Sequence, residues 1–350
     1  MRVLVTGAYG FIGSHICEGL LKLGHEVRGC DDLSGGEWAN VCHLQQKYGD
    51  QFQWFHPTDC GNRVSISGIL YNYPCDTLVH CAANAREGAS QFQPASVTYR
   101  NFYAAMATIS AALERKVKRL IIFSSMAIYG NATPPFDEML PKAPVDIYGL
   151  NKAAMEEATY ILSTVHDFQY CILRPHNVMG SHQSLYDIHR NVVGIFMNRI
   201  MRNEPLFIYG DGEQTRAFSY IEDSLPAFLR AILCDDAYFK DKLHGRAINA
   251  GGKIPISVNQ LALTVKEAMG VPLDYPTDSI PDRPREVKHA WCTTKLSEEL
   301  LGYKEEIGWE EGIRRMAKWA KEKGPQEWRN TEELEVINEL TPIPWIKAGR

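Results

Sequence analysis

Short apolar, β-branched runs alternate with stretches of helical period through the first half of the chain. Val3–Thr6, Glu26–Asp31, Gln53–His56, Thr77–Cys81, Arg119–Ser124 and Gln169–Leu173 read as strands. Between them, apolar positions recur at helical spacing over Phe11–Leu23, Val64–Tyr71, Ala95–Glu114 and Tyr148–Val165. Strand followed by helix, repeated, predicts an α/β fold with a doubly wound parallel sheet covered on both faces. After Arg174-Pro175 the pattern turns irregular, and Gly180, Ser181, His182, Gln183 and Ser184 read as a loop. Helical period returns at Asn191–Met201, Ile221–Leu233, Val258–Ala268, Lys295–Leu301 and Trp309–Lys321. The pattern thus divides into a first domain over residues 1–175, with part of 210–250 interleaved, and a smaller mixed domain over 176–323. The tail, 324–350, carries a short helical pattern near Thr331–Leu340, then Pro342, Pro344 and Trp345, and is expected to pack back on the body through Trp345.

Composition narrows the picture only a little. In 350 residues, 45% hydrophobic and 23% charged, there is enough apolar material for a large core. A net charge of -5 leaves no basic footprint, so nucleic acid is not an expected partner. No apolar run approaches the roughly 20 residues of a membrane span. The opening Met-Arg-Val-Leu-Val-Thr-Gly already reads as a core strand, so no signal peptide is expected. Nine cysteines are scattered without Cys-x-x-Cys spacing, which suits a reducing cytoplasm, small buried hydrophobes and no zinc site.

The candidate chemistry begins at the first turn. Gly7, Gly10 and Gly13 follow the first strand and open the first helix, a spacing that lets backbone N–H groups approach a pyrophosphate. The next strand ends in Asp31-Asp32, where a carboxylate can bind the adenosine ribose hydroxyls. No arginine follows directly to receive a 2′-phosphate, so NAD is expected over NADP. Asp59-Cys60 would border the adenine, and Cys81, Ala82 and Ala83, after His80, let a cofactor lie close to the backbone. Further on, Tyr148 and Lys152 lie four apart on one helix face. A neighbouring ammonium lowers the Tyr pKa, and a phenolate beside a nicotinamide can remove a hydroxyl proton during hydride transfer.

The glycine turn, His80–Ala83, Asn101, Ser124–Gly130, Tyr148–Lys152, Leu173–Asn177, Tyr209–Phe218 and Arg283–Trp291 together resemble the extended short-chain dehydrogenase/reductases. Within that superfamily the pattern is most similar to the nucleotide-sugar 4-epimerases and dehydratases, over nearly the whole chain up to about Gly324. The resemblance implies a Rossmann domain holding NAD, with further cofactor contacts at Tyr9, Phe11, Ile12, Leu33, Asn101, Ser124, Tyr148, Lys152 and the backbone near His176. It places Ser125 on the sugar O4, relaying its proton to Tyr148, and Lys152 on the nicotinamide ribose. His176 reads as structural rather than as a base. Related dehydratases carry an Asp-Glu pair and related decarboxylases a Glu between the Ser and the Tyr-Gly. Here Met126, Ala127 and Ile128 stand there, so dehydration and decarboxylation are disfavoured.

For the nucleotide-sugar half, the resemblance implies that Asn177, Asn191, Val192, Arg216 and Arg283 meet the diphosphate and base. Tyr209 would pack on the base and Glu286 would bind the ribose. Two departures stand out: Ala217 follows Arg216 where the family has Asp, and Arg283-Pro284-Arg285-Glu286 replaces Arg-x-Gly-Asp. Arg285 and Arg86 could serve an acidic sugar. Ala290 falls at the position that gates the C2 substituent and, being small, would admit a 2-acetamido group. The expected activity is NAD-dependent 4-epimerisation of a nucleotide-diphosphate sugar, UDP-sugars favoured, through a transient 4-keto sugar that turns within the pocket. A 4-dehydrogenase or 4-ketoreductase is the alternative, and an NAD-sensing binding module without activity is disfavoured by the intact Ser125, Tyr148 and Lys152. A homodimer through Ala95–Glu114 and Tyr148–Val165 is also expected, with Phe102, Ala105, Met106, Ile109, Leu113, Met155, Ala158, Ile161 and Leu162 as its apolar positions.

Overall fold

The structure, a computed structural model, describes residues 1–329 and 333–347. Among these, seven strands form one parallel sheet. Six of them arise in chain order: β1 (Arg2–Thr6), β2 (Glu26–Cys30), β3 (Phe52–Phe55), β4 (Thr77–His80), β5 (Arg119–Phe123) and β6 (Gln169–Pro175). The seventh, Arg246–Ala250, arrives from far along the chain and pairs with β6, giving the order Arg246–Ala250, β6, β5, β4, β1, β2, β3. The sequence pattern expects part of 210–250 interleaved with the first domain but does not show this strand.

Alternation along the strands supplies two separate cores. Val3, Val5, Val79, Ile121 and Phe123 face one way, onto helices Phe11–Lys22 and Ile221–Leu233. Leu4, Leu78, Leu120 and Ile122 face the other, onto helices Arg63–Asn72, Ala104–Glu114 and Ile147–Ser163. Period-two side chains buried on both faces are what a doubly wound sheet requires. Cys17, Cys30, Cys60 and Cys171 are free thiols within these cores.

The long helix expected at Ala95–Glu114 is interrupted. A short α-helix at Pro94–Thr98 widens into a π-turn over Tyr99–Tyr103 before the helix resumes at Ala104. Asn101, at the widening, turns its amide inward to the carbonyls of Asn84 and Val97, each at 2.9 Å. π-turns of this kind cluster at functional sites.

The second half builds a lobe over the carboxyl ends of the strands. Leu206–Tyr209 pairs with Thr277–Ile280, and Thr215–Ala217 lies between Pro255–Ser257 and His289–Ala290. Helices Val192–Met201, Val258–Met269 and Gly308–Lys323 pack behind them. The helical pattern read near Thr331–Leu340 begins outside the described residues, and 333–340 form no helix; a short one instead runs over Ile343–Lys347. Trp345 does pack on the body, buried against Phe92.

Candidate active site

A single cleft of about 660 Å³ runs along the carboxyl ends of the strands, between the sheet and the second lobe. Open α/β sheets bind ligands in this crevice. At one end Gly7 takes φ +65°, and a Cβ on Gly13 would stand 2.1 Å from the Gly7 carbonyl oxygen, so both positions require glycine. Gly10 caps the first helix with no side chain, and no acidic residue occupies its first turn. The N–H end of that helix therefore faces the cleft free of any competing anion, which fits a pyrophosphate.

The acidic residues beyond the turn are held in place. The carboxylate of Asp31 accepts from Tyr9 N–H (3.0 Å) and Leu33 N–H (2.8 Å). Asp32 accepts from Ser34 N–H and from Arg100, whose guanidinium also meets the Ser34 hydroxyl. Asp59 accepts from Gly61 N–H and the Tyr99 hydroxyl, both at 2.7 Å. All three line the cleft, as do Cys60, Cys81, Ala82 and Ala83.

Midway stand the three residues expected to do chemistry. Ser125 caps the turn Met126–Tyr129, its hydroxyl accepting from Ala127 N–H. Asp146 caps the helix that carries Tyr148 and Lys152, accepting from Gly149 N–H at 2.7 Å. Lys152 donates to the Phe123 carbonyl at 2.8 Å, and its ammonium lies 5.8 Å from the centre of the Tyr148 ring. The expected lowering of the phenol pKa is absent here. Burial pushes Tyr148 well above its ordinary value, against an opposing hydrogen bond with Ser125, while the Glu87 and Asp146 carboxylates push it further up. Burial also lowers Lys152, to about 8.

At the far end two arginines converge. Arg283 stacks on Tyr209, 4.9 Å from the ring centre, and grips Glu286 through Nε (2.6 Å) and Nη2 (2.7 Å). Arg216 reaches the same carboxylate at 3.1 Å and donates to the carbonyls of Thr215, Val287 and Lys288. These carbonyls orient Arg216 where Ala217 leaves no Asp to do so. Asn191 caps helix Val192–Met201 through Val193 N–H, and Asn177 donates to the Ala217 carbonyl; both border the cleft, with Val192.

Six expected site residues do not line the cleft. Tyr9 is buried in an aromatic group with Trp38 and His56, and Leu33, at φ 64°, is exposed to solvent outside it. Asn101 is spent on backbone carbonyls, as above. His176 is buried with Nε2 at 2.6 Å from the Cys292 sulfur, and burial drops its pKa to about 3. Arg86, 1% exposed, finds its carboxylate inside the protein, donating to Asp187 through Nε (3.1 Å) and Nη2 (3.0 Å). Ala290 packs in a cluster with Met126 and Phe136 rather than on the cleft, where Val287 and Met126 stand instead. Conversely, Glu87, Asp146, Arg100, Arg190, Arg199 and Trp328 line the cleft without having been singled out, and so does Trp345, expected only to pack on the body. Only Asp146 carried a signal, an Asp two residues before the Tyr at the helix start.

Among the described residues no group of His, Cys, Asp or Glu could hold a metal, and no helix is long and apolar enough to cross a membrane.

The fold and the cleft at its strand ends define a dinucleotide-binding α/β protein with a Rossmann-like sheet. The chain belongs to the NAD dependent epimerase/dehydratase family, whose profile matches residues 3–251, and its cofactor is NAD. It is 28% identical over 325 residues to a UDP-glucuronate 4-epimerase of Thermodesulfobacterium geofontis, covering 91% of this chain and 96% of the relative. It is 29% identical to the human dTDP-D-glucose 4,6-dehydratase, covering 98% and 95%. Among solved structures, the UDP-glucose 4-epimerase of Thermotoga maritima with UDP-glucose matches with a TM-score of 0.83 at 27% identity, covering 92% of this chain and 99% of that one.

Proposed function

We propose that the protein is an NAD-dependent 4-epimerase of a nucleoside-diphosphate sugar, with a UDP-sugar favoured. One observation carries the reading: a single cleft joins the glycine turn, the Ser125–Tyr148–Lys152 group and the Arg216–Arg283 pair, in that order of function. Two guanidiniums suit a diphosphate, and Tyr209 beneath Arg283 offers an aromatic surface. Bound NAD supplies a reversible hydride acceptor beside C4. Tyr148 takes the 4-hydroxyl proton through Ser125 and returns it after the keto sugar has turned. Lys152 holds the cofactor ribose and stabilises the phenolate by its charge. Met126, Ala127 and Ile128 offer no proton to the sugar from the segment between Ser125 and Tyr129.

A second reading, 4,6-dehydration, is favoured by a different observation. Glu87 and Asp146 both line the cleft, and burial raises both carboxyls above their ordinary range. Such a pair could serve elimination as acid and base. Incubation with UDP-, dTDP- and GDP-sugars, with products read by NMR, separates the readings. Inversion at C4 without net reduced cofactor supports epimerisation. A 6-deoxy-4-keto product supports dehydration, and accumulation of NADH supports a dehydrogenase; either sinks the epimerase.

We further propose a homodimer. Ala105, Ile109 and Met155 are consumed in the monomer core, but Tyr99, Tyr103, Leu150, Tyr160 and Ile161 remain exposed on the same helices, Ile161 at 59%. Light scattering at micromolar concentration is expected to give the mass of two chains, and Ile161→Asp that of one. A monomeric mass for the unaltered protein would reject the dimer.

A further inference from the structure

The chain beyond helix Gly308–Lys323 is tied to both banks of the cleft. On the second-lobe bank, Asn198 accepts from Gln326 N–H (2.8 Å) and donates to its carbonyl (3.0 Å). The Trp328 indole donates to the Glu204 carboxylate at 3.0 Å, and Arg329 N–H donates to the Tyr186 carbonyl. On the sheet bank, the Phe92 carbonyl accepts from Glu335 and Val336 N–H groups. The Glu335 carboxylate accepts from Ala95 N–H (2.8 Å) and Ser96 N–H (2.7 Å), meeting the positive end of the helix that starts at Pro94. The chain then returns between the banks. Trp345, 2% exposed, packs edge-on against Phe92 (5.9 Å) and His189 (4.8 Å), and a Cβ on Gly88 would sit 3.4 Å from its ring.

Trp328, Pro344 and Trp345 are also cleft wall, sharing it with Glu204, Tyr209 and Arg283. The contacts of this arm described above fall on Asn198, Glu204, Tyr186, Phe92, Ala95, Ser96 and His189, away from the glycine turn. Trp345 stands beside Arg283, since the position of a Cβ on Gly88 lies 3.4 Å from the Trp345 ring and 3.0 Å from the Arg283 guanidinium. An indole there excludes water, and a drier site strengthens a contact to a dianion.

We propose that the C-terminal arm is part of the nucleotide-sugar site, with Trp328 closing the nucleobase end and Trp345 the diphosphate–sugar end. This rests on the reading of the cleft as a nucleotide-sugar site. The arm fixes how large a base and sugar can be enclosed, and so selects the ligand by fit rather than by charge.

Calorimetric titration with NAD and with UDP-glucose, dTDP-glucose and GDP-mannose tests it. For whichever sugar nucleotide the unaltered enzyme binds, Trp345→Ala weakens binding at least about tenfold, as loss of a buried aromatic anchor does, and Trp345→Phe recovers most of it. NAD affinity stays within about twofold. In turnover the loss appears in KM rather than kcat, as removal of uniform binding does. Trp328→Ala weakens binding of the free nucleoside diphosphate by a similar factor. Unchanged sugar-nucleotide binding in Trp345→Ala overturns the proposal, and so does a parallel loss of NAD binding, which would mark the arm as scaffolding alone. If the unaltered enzyme binds none of the three, the nucleotide-sugar reading itself falls and takes the arm's role with it.

Discussion

Tyr148→Phe lowers turnover by at least about a hundredfold, the lower range for a positioned acid–base group, and leaves NAD binding largely intact. The ring is packed against Val97, Ala127 and Ile147, so phenylalanine keeps the packing and removes only the oxygen. Burial and two nearby carboxylates oppose the phenolate at that oxygen. On the proposed reading Lys152, whose pKa burial lowers to about 8 and which donates to the Phe123 carbonyl, would be the cation that offsets this. Stopped turnover with substrate and NAD titrated separately checks the claim. Near-normal turnover in Tyr148→Phe would remove this residue from the chemistry.

Arg174→Leu costs about 3–5 kcal/mol of stability, the usual effect of stranding a buried charge. Arg174 donates to both oxygens of Glu156, at 2.9 and 2.6 Å, and to the Tyr129 hydroxyl at 2.7 Å. Tyr129 in turn donates to Asn249 on the seventh strand of the parallel sheet. The group is buried beside the turn that Ser125 caps, and without Arg174 the Glu156 carboxylate keeps, among the described residues, one cation, Lys142 at 3.0 Å. Burial alone would raise the Glu156 pKa, but the Arg174 guanidinium, with help from Lys142 and Ser124, offsets it and holds the carboxyl below its usual value. A depressed carboxyl stabilises the fold above its unfolded pKa and loses that contribution as pH falls through the folded value. The variant should therefore lose more stability at neutral pH than in acid. Urea unfolding at both pH values measures this, and replacing Glu156 by Leu as well should recover much of the loss. A neutral-pH change under about 1 kcal/mol would mean that the pair is as inert as one at the surface.

The sheet and the cofactor turn were legible because their signals are local. A strand buried on both faces, or glycine at Gly7 and Gly13, declares itself within a few residues. Strand ends were misjudged by a residue or two, as at Cys81 and Ser124, whose N–H groups still bond the neighbouring strands at Thr6 and Leu173 although the regular ladder has ended. Arg246–Ala250 was missed because five residues with Arg and Asn among them carry little strand signal; pairing with β6 decides their state. Arg86 read as a ligand for the sugar because its partner Asp187 lies 101 residues away. Glu87, Asp146, Trp328 and Trp345 are adjacent only in the folded chain, and nothing along the sequence joins them. The candidate trio could be picked out for the opposite reason: Tyr148 and Lys152 share one helix, and Ser125 caps the turn that follows the fifth strand.

The late arrival of the seventh strand sets an order of events during synthesis. Once residues up to Pro175 have left the ribosome, six strands can already pair, but β6 presents a bare row of N–H and C=O groups. That edge stays open until Arg246–Ala250 is made, which at bacterial-to-eukaryotic elongation rates takes on the order of ten seconds. During that interval two nascent chains on one message could pair edge to edge, and a chaperone that recognises extended apolar backbone has its longest opportunity to bind. Asn249 on that same strand then locks Tyr129, so the network beneath Ser125 is completed only when the edge is sealed.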